Sequence, residues 1–276
     1  MDNIVKVYWQ PGCSSCLKTK EFLQQNKIDF KSINVLEDEE GLNDLKKFGL
    51  KMVPIVIKND QWANGAVFRD VAKVVGFKYN EHRMLQPTII KDKILQINDI
   101  TSIFLEDIAD DTLNIRLPGR PRTYMELVYH VFNIPEVFLN YIENNTPYTY
   151  EALLSDLPDI IVNKKDLLEY GKTIKERFSE WWVNYGVNLD FSSPADVYYG
   201  KVSYHEVLER TGWHTGQHCR QIDLLLKEKL KIKPKVFLNE KVFDGLPMPK
   251  NIWDNERSFD EDPYQGQFNE SLNKLS

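Results

Sequence analysis

Cys13 and Cys16 flank two serines between a strand-like run, Ile4-Val5-Lys6-Val7-Tyr8-Trp9, and a helical stretch to residue 25 carrying Leu17, Phe22 and Leu23. Gln10-Pro11-Gly12 makes the turn between them. A sulfur at the end of a tight strand-to-helix turn restricts the fold more than any other feature of the chain. The next fifty residues extend the pattern: strand-like residues 30–35, a helix over 41–48, strands over 53–57 and 61–63, and a helix over 69–75. The predicted order is βαβαββα, a thioredoxin-like α/β unit.

With 276 residues, 42% of them apolar, the chain can fill two cores of ordinary size. The net charge of −6 has no basic stripe, which argues against a nucleic-acid partner. No apolar run approaches the roughly 18 residues of a membrane span, and Met1-Asp2-Asn3 leads into a strand without the pattern of a secretory leader. Three cysteines with one CxxC pair do not make a disulfide framework, so the expected compartment is the reducing cytoplasm.

At the start of a helix, unpaired N–H groups and the positive end of the dipole stabilise a thiolate. Cys13 is therefore the expected attacking sulfur, and Cys16, within the first turn, the thiol that resolves a mixed disulfide. The alternatives are a zinc half-site or two inert thiols. Zinc needs further ligands, and the remaining cysteine, Cys219, belongs to another segment.

The segment Tyr8-Trp9-Gln10-Pro11-Gly12-Cys13-Ser14-Ser15-Cys16, with Met52-Val53-Pro54 downstream, resembles a glutaredoxin over residues 1–77. The resemblance implies that Pro54 is a cis-proline beside the dithiol and that the Val53 backbone pairs with a bound thiol. It also implies a low-molecular-weight thiol such as glutathione, or a protein disulfide, as partner. Asn64-Gly65-Ala66-Val67-Phe68-Arg69-Asp70 departs from the family's Gly-Gly and acidic pattern, and Phe68-Arg69 is closer to relatives served by a thioredoxin reductase-type electron donor. Read without the resemblance, Phe68 is a core residue and Arg69 a solvated one.

Residues 78–93, with mixed charge and Pro87, read as a linker; His82 there is a solvated histidine. Residues 94–230 carry helical patterns over 94–108, 124–142, 165–185 and 204–230, which suit an all-α antiparallel four-helix bundle. The third has an apolar seam of Leu167, Gly171, Ile174, Phe178, Trp181 and Tyr185. The fourth aligns Val207, Thr211, His214, His218, Gln221 and Leu225, and the second Leu127, His130, Ile134, Val137 and Tyr141, with Pro135 as a kink site. One inward histidine usually means one local hydrogen bond. Three suggest more, because His214 and His218, four apart, share a face and His130 can join them on one metal with positions left open. His205 is expected on the opposite, surface face, and Cys219 as a small core residue. Residues 231–276, rich in proline and ending polar, are expected to be an extended strap and tail in which Val242, Phe243, Met248, Ile252 and Trp253 dock on the bundle or bridge the domains.

The run from Leu113 to His130, followed by Trp213-His214-Thr215-Gly216-Gln217-His218-Cys219-Arg220-Gln221-Ile222, resembles a DinB-like, YfiT-type metalloprotein over residues 90–230. The resemblance implies a divalent metal on His130, His214 and His218, and in several members a thiol-dependent transfer. Neutral imidazoles suit zinc, which is favoured, with nickel or iron as alternatives. Three functions are compatible with these features: a dithiol joined to a metal site that activates a thiol for attack on an electrophile, a redox-responsive metal-binding or regulatory protein, or a dithiol oxidoreductase whose bundle docks targets.

Overall fold

The computed structural model describes residues 4–118 and 122–253, so Gly119-Arg120-Pro121 of the second motif and tail residues 254–276 lie outside the described residues. The chain divides into two compact units. One contains the described residues up to His82 with 117–118 and 249–253, and the other contains Arg83–Arg116 and Arg122–Met248.

In the first unit, β1 (Val5–Trp9), β2 (Phe30–Asn34), β3 (Ile55–Lys58) and β4 (Gln61–Asn64) form a sheet of order β2-β1-β3-β4. β1 runs parallel to β2 and antiparallel to β3, and β3 is antiparallel to β4. With α1 (Ser14–Gln25), α2 (Glu39–Lys47) and α3 (Phe68–Val75), the order is the expected βαβαββα. Strand side chains alternate between faces. Val5, Val7, Val56 and Ala63 pack with Phe22 and Leu23 of α1 and Val71 and Val75 of α3. Tyr8, Ile33, Ile55 and Ile57 pack with Leu45 of α2. A sheet covered on both faces explains why β1 reads as an almost uninterrupted apolar run.

Four helices of 21 to 25 residues stand out among the described residues of the second unit: α4 (Pro87–Asp107), α5 (Tyr124–Asn144), α7 (Lys164–Asn184) and α8 (Tyr204–Glu228), with the one-turn α6 (Tyr150–Leu153) between α5 and α7. α4 packs against α7 and α8, and α5 against the same two helices. The linker expected over 78–93 is shorter than read, because α4 starts at Pro87. Proline's fixed φ and missing N–H suit the first helical position, and Pro87 opens the helix.

Both histidine-bearing helices begin with a capping box, Thr123 with Glu126 in α5 and Ser203 with Glu206 in α8. A hairpin that the sequence pattern did not predict, β5 (Pro194–Val197) with β6 (Gly200–Ser203), leads directly into α8. Its turn uses Gly200 at φ 135°, a backbone region open to glycine. From Val207 to Cys219 every residue of α8 is buried, so the helix is covered all round.

The strap expected over 231–276 is divided. Val242 and Phe243 are buried in the helical unit, and Phe243 and Met248 close over Gly216 of α8. Residues 249–253 belong instead to the first unit, where the Lys250 and Asn251 main-chain N–H groups and the Asn251 amide donate to the Glu21 carboxylate at 2.6 to 2.8 Å. A buried carboxylate needs donors, and this segment supplies three to Glu21.

Candidate functional site

Cys13 caps α1 in an extended conformation, and its Sγ accepts the Cys16 N–H at 3.1 Å. The cap is the sulfur itself, so the helix start is aimed at the group whose anionic form it favours. The two sulfurs are bonded, with their Cα atoms 5.2 Å apart. Cys13 is half-buried and Cys16 fully buried, which gives an incoming thiol access to Cys13 first.

The Val53–Pro54 peptide is cis, as the resemblance implied. Val53 and Cys16 share a core cluster against which Cys13 packs. The Pro54 carbonyl accepts the Gly65 N–H at 2.9 Å, and Thr19 Oγ1 of α1 contacts both the Gly65 carbonyl (2.9 Å) and the Ser15 carbonyl (2.8 Å). A Cβ on Gly65 would meet Thr19 Oγ1 at 2.7 Å and the Pro54 Cβ at 2.9 Å. Gly65 therefore lets α1 and the cis-proline loop approach closely enough to hold the dithiol beside Pro54. Phe68 stacks on Phe22 with ring centroids 4.0 Å apart, which identifies it as a packing residue.

In the helical unit, His130 of α5 and His214 and His218 of α8 are all buried, with one ligand nitrogen from each within 4.8 Å of the others. His214 Nε2 and His218 Nε2 are 3.2 Å apart. Two nitrogens bound to one tetrahedral zinc at about 2.0–2.1 Å lie about 3.3 Å from each other, so this pair already has a suitable spacing. His130 brings a third ring nitrogen within 4.8 Å of the other two, a donor set that can hold a divalent cation.

His218 Nδ1 lies 2.8 Å from Gln221 Oε1. Burial pushes the His130 pKa well below the ordinary histidine value, and the nearby Arg122 cation, followed by His218 and His214, pushes it the same way. Neutral imidazole is the form that binds metal. Burial also lowers the Arg122 pKa.

Of the other histidines, His82 is exposed, while His205 is half-buried rather than on the open surface, its Nε2 2.7 Å from the Leu85 carbonyl. The segment before α4 covers the helix face that spacing alone had assigned to solvent. Cys219 is fully buried, as expected of a core residue. Sequence reasoning placed Gln221 on the seam but gave it no role, although its position three residues after His218 was a usable signal. Arg122 lies eight residues before His130, ahead of the helix, and was not part of the seam read from the sequence.

Residues 5–62 match the family profile described as Glutaredoxin. An uncharacterized glutaredoxin-like 8.6 kDa protein in the rubredoxin operon of Clostridium pasteurianum is 33% identical over 54 residues, 19% of this chain and 72% of that protein. The glutaredoxin-like protein NrdH of Lactococcus lactis subsp. cremoris (strain MG1363) is 28% identical over 71 residues, 26% of this chain and 99% of that protein. Through this N-terminal domain the chain belongs to the glutaredoxin family.

Proposed function

We propose that the chain is a thiol-dependent redox and transfer protein. The Cys13–Cys16 dithiol exchanges with disulfides, and a divalent metal on His130, His214 and His218 activates a low-molecular-weight thiol for attack on an electrophile. One observation carries the reading: three buried histidines converge within 4.8 Å in a chain that also holds a redox dithiol. The helical unit is read as an antiparallel four-helix bundle of the DinB-like kind. Supporting this are the packing of α4 and α5 against both α7 and α8 and the position of the histidines on two facing helices.

In the exchange step, the Cys13 thiolate attacks one sulfur of a disulfide and the other leaves as a thiolate that takes up a proton. The Cys16 thiolate then attacks Cys13 Sγ and expels the second thiol. The substrate gains two electrons and two protons, and the protein is left with its own disulfide. A low-molecular-weight thiol such as glutathione, or a thioredoxin reductase-type donor, returns the electrons. Val53, beside cis-Pro54, offers its backbone to the incoming thiol. At the second site, a bound cation would favour thiolate over thiol near neutral pH. The histidines hold that position, and burial keeps His130 neutral and able to ligate.

Elemental analysis of reduced wild-type and His214→Ala protein tests the reading. The expected result is about one metal per chain in the wild type, with zinc favoured, and its loss in the variant. His130→Ala should then abolish thiol transfer to an electrophile while leaving disulfide reduction through Cys13 intact. A wild type that binds no divalent metal overturns the metal-site role and leaves the helical unit as a docking or regulatory module for the dithiol.

A further inference from the structure

His218 and Gln221 are three residues apart on α8, so their side chains meet on one helix face. The contact between His218 Nδ1 and Gln221 Oε1, at 2.8 Å, is buried. An amide oxygen can only accept, so this contact requires the proton on Nδ1 and puts the ring's lone pair on Nε2. That Nε2 is the atom 3.2 Å from His214 Nε2. At that spacing the two Nε2 lone pairs can share one cation.

We infer that Gln221 is a positioning residue of the metal centre, its amide oxygen fixing His218 as the Nδ1–H tautomer with Nε2 turned toward His214. The inference rests on the metal reading given above. A carboxylate in the same place would orient the ring and also add negative charge beside the cation. The amide orients the ring without that charge, so the attraction of the site for a thiolate is not offset.

The test is a long-range nitrogen-15 correlation spectrum of the imidazoles in the reduced full-length chain at neutral pH, with a parallel titration by zinc ions. The expected spectrum shows an N–H at Nδ1 of His218 and a lone-pair nitrogen at Nε2 before zinc is added. Gln221→Leu should lose this preference and weaken zinc binding roughly 10–100-fold. Gln221→Glu keeps an acceptor in place and should restore both the tautomer and the affinity.

A wild-type His218 with its proton on Nε2 overturns the inference, as does a folded Gln221→Leu with unchanged tautomer and unchanged affinity. The tautomer is read in the wild type, so a variant that fails to fold leaves the test in force. Zinc binding with the wrong tautomer removes only the role of Gln221. Absence of zinc binding removes the metal reading and the positioning role with it.

Discussion

Cys13 and Cys219 are the same side chain in opposite surroundings. Cys13 accepts a backbone N–H at a helix start, whereas burial pushes the Cys219 thiol from 9.0 up to about 12. The raised value makes Cys219 a stability group with a definite sign. Below pH 9 the thiol is neutral in both folded and unfolded chains and costs nothing. As pH rises from 9 toward 12, the unfolded chain loses the proton that the folded one retains, so stability falls. We therefore expect the wild type to lose more stability than Cys219→Ala between pH 8 and about pH 10.5. Urea midpoints of both proteins, kept reduced, check this; equal losses would show that the thiol titrates normally.

α7 carries a glycine, Gly171, in the middle of a helix, where alanine is favoured by about 1 kcal/mol on propensity alone. Packing explains the exception. A Cβ at Gly171 would lie 2.7 Å from two carbons of the Phe132 ring, which is itself fully buried on α5. Close approach between α5 and α7 at this point uses the missing side chain. Gly171→Ala should destabilise the protein by about 1–3 kcal/mol despite its better helix propensity. Chemical denaturation measures the difference, and a stabilised variant would show that the ring can move. The same helix contact sets the depth of α5, and so the reach of His130 toward α8.

At the scale of the molecule, residues 249–253 fold with the first unit, although more than 150 residues separate them from α3 in the sequence. Glu21 is the anchor, and Glu21→Ala should cost about 1.5–3 kcal/mol and expose the Lys250 and Asn251 amides to rapid hydrogen exchange. Retained protection of those amides would mean that other contacts hold the segment. The βαβαββα order, the helix-capping Cys13, and the inward faces carrying His130, His214 and His218 were all legible in the sequence. Their causes act over a few residues: strand alternation, turn chemistry, and the four-residue spacing that places two side chains on one face. Three features depended on the packed chain: the start of α4, the cover over His205, and the attachment of the strap to Glu21. Local pattern determines which face of an element is apolar or carries a ligand. Only the tertiary structure decides which distant segment buries that face and supplies its last hydrogen bond, because those choices depend on shape and partners contributed by the whole chain.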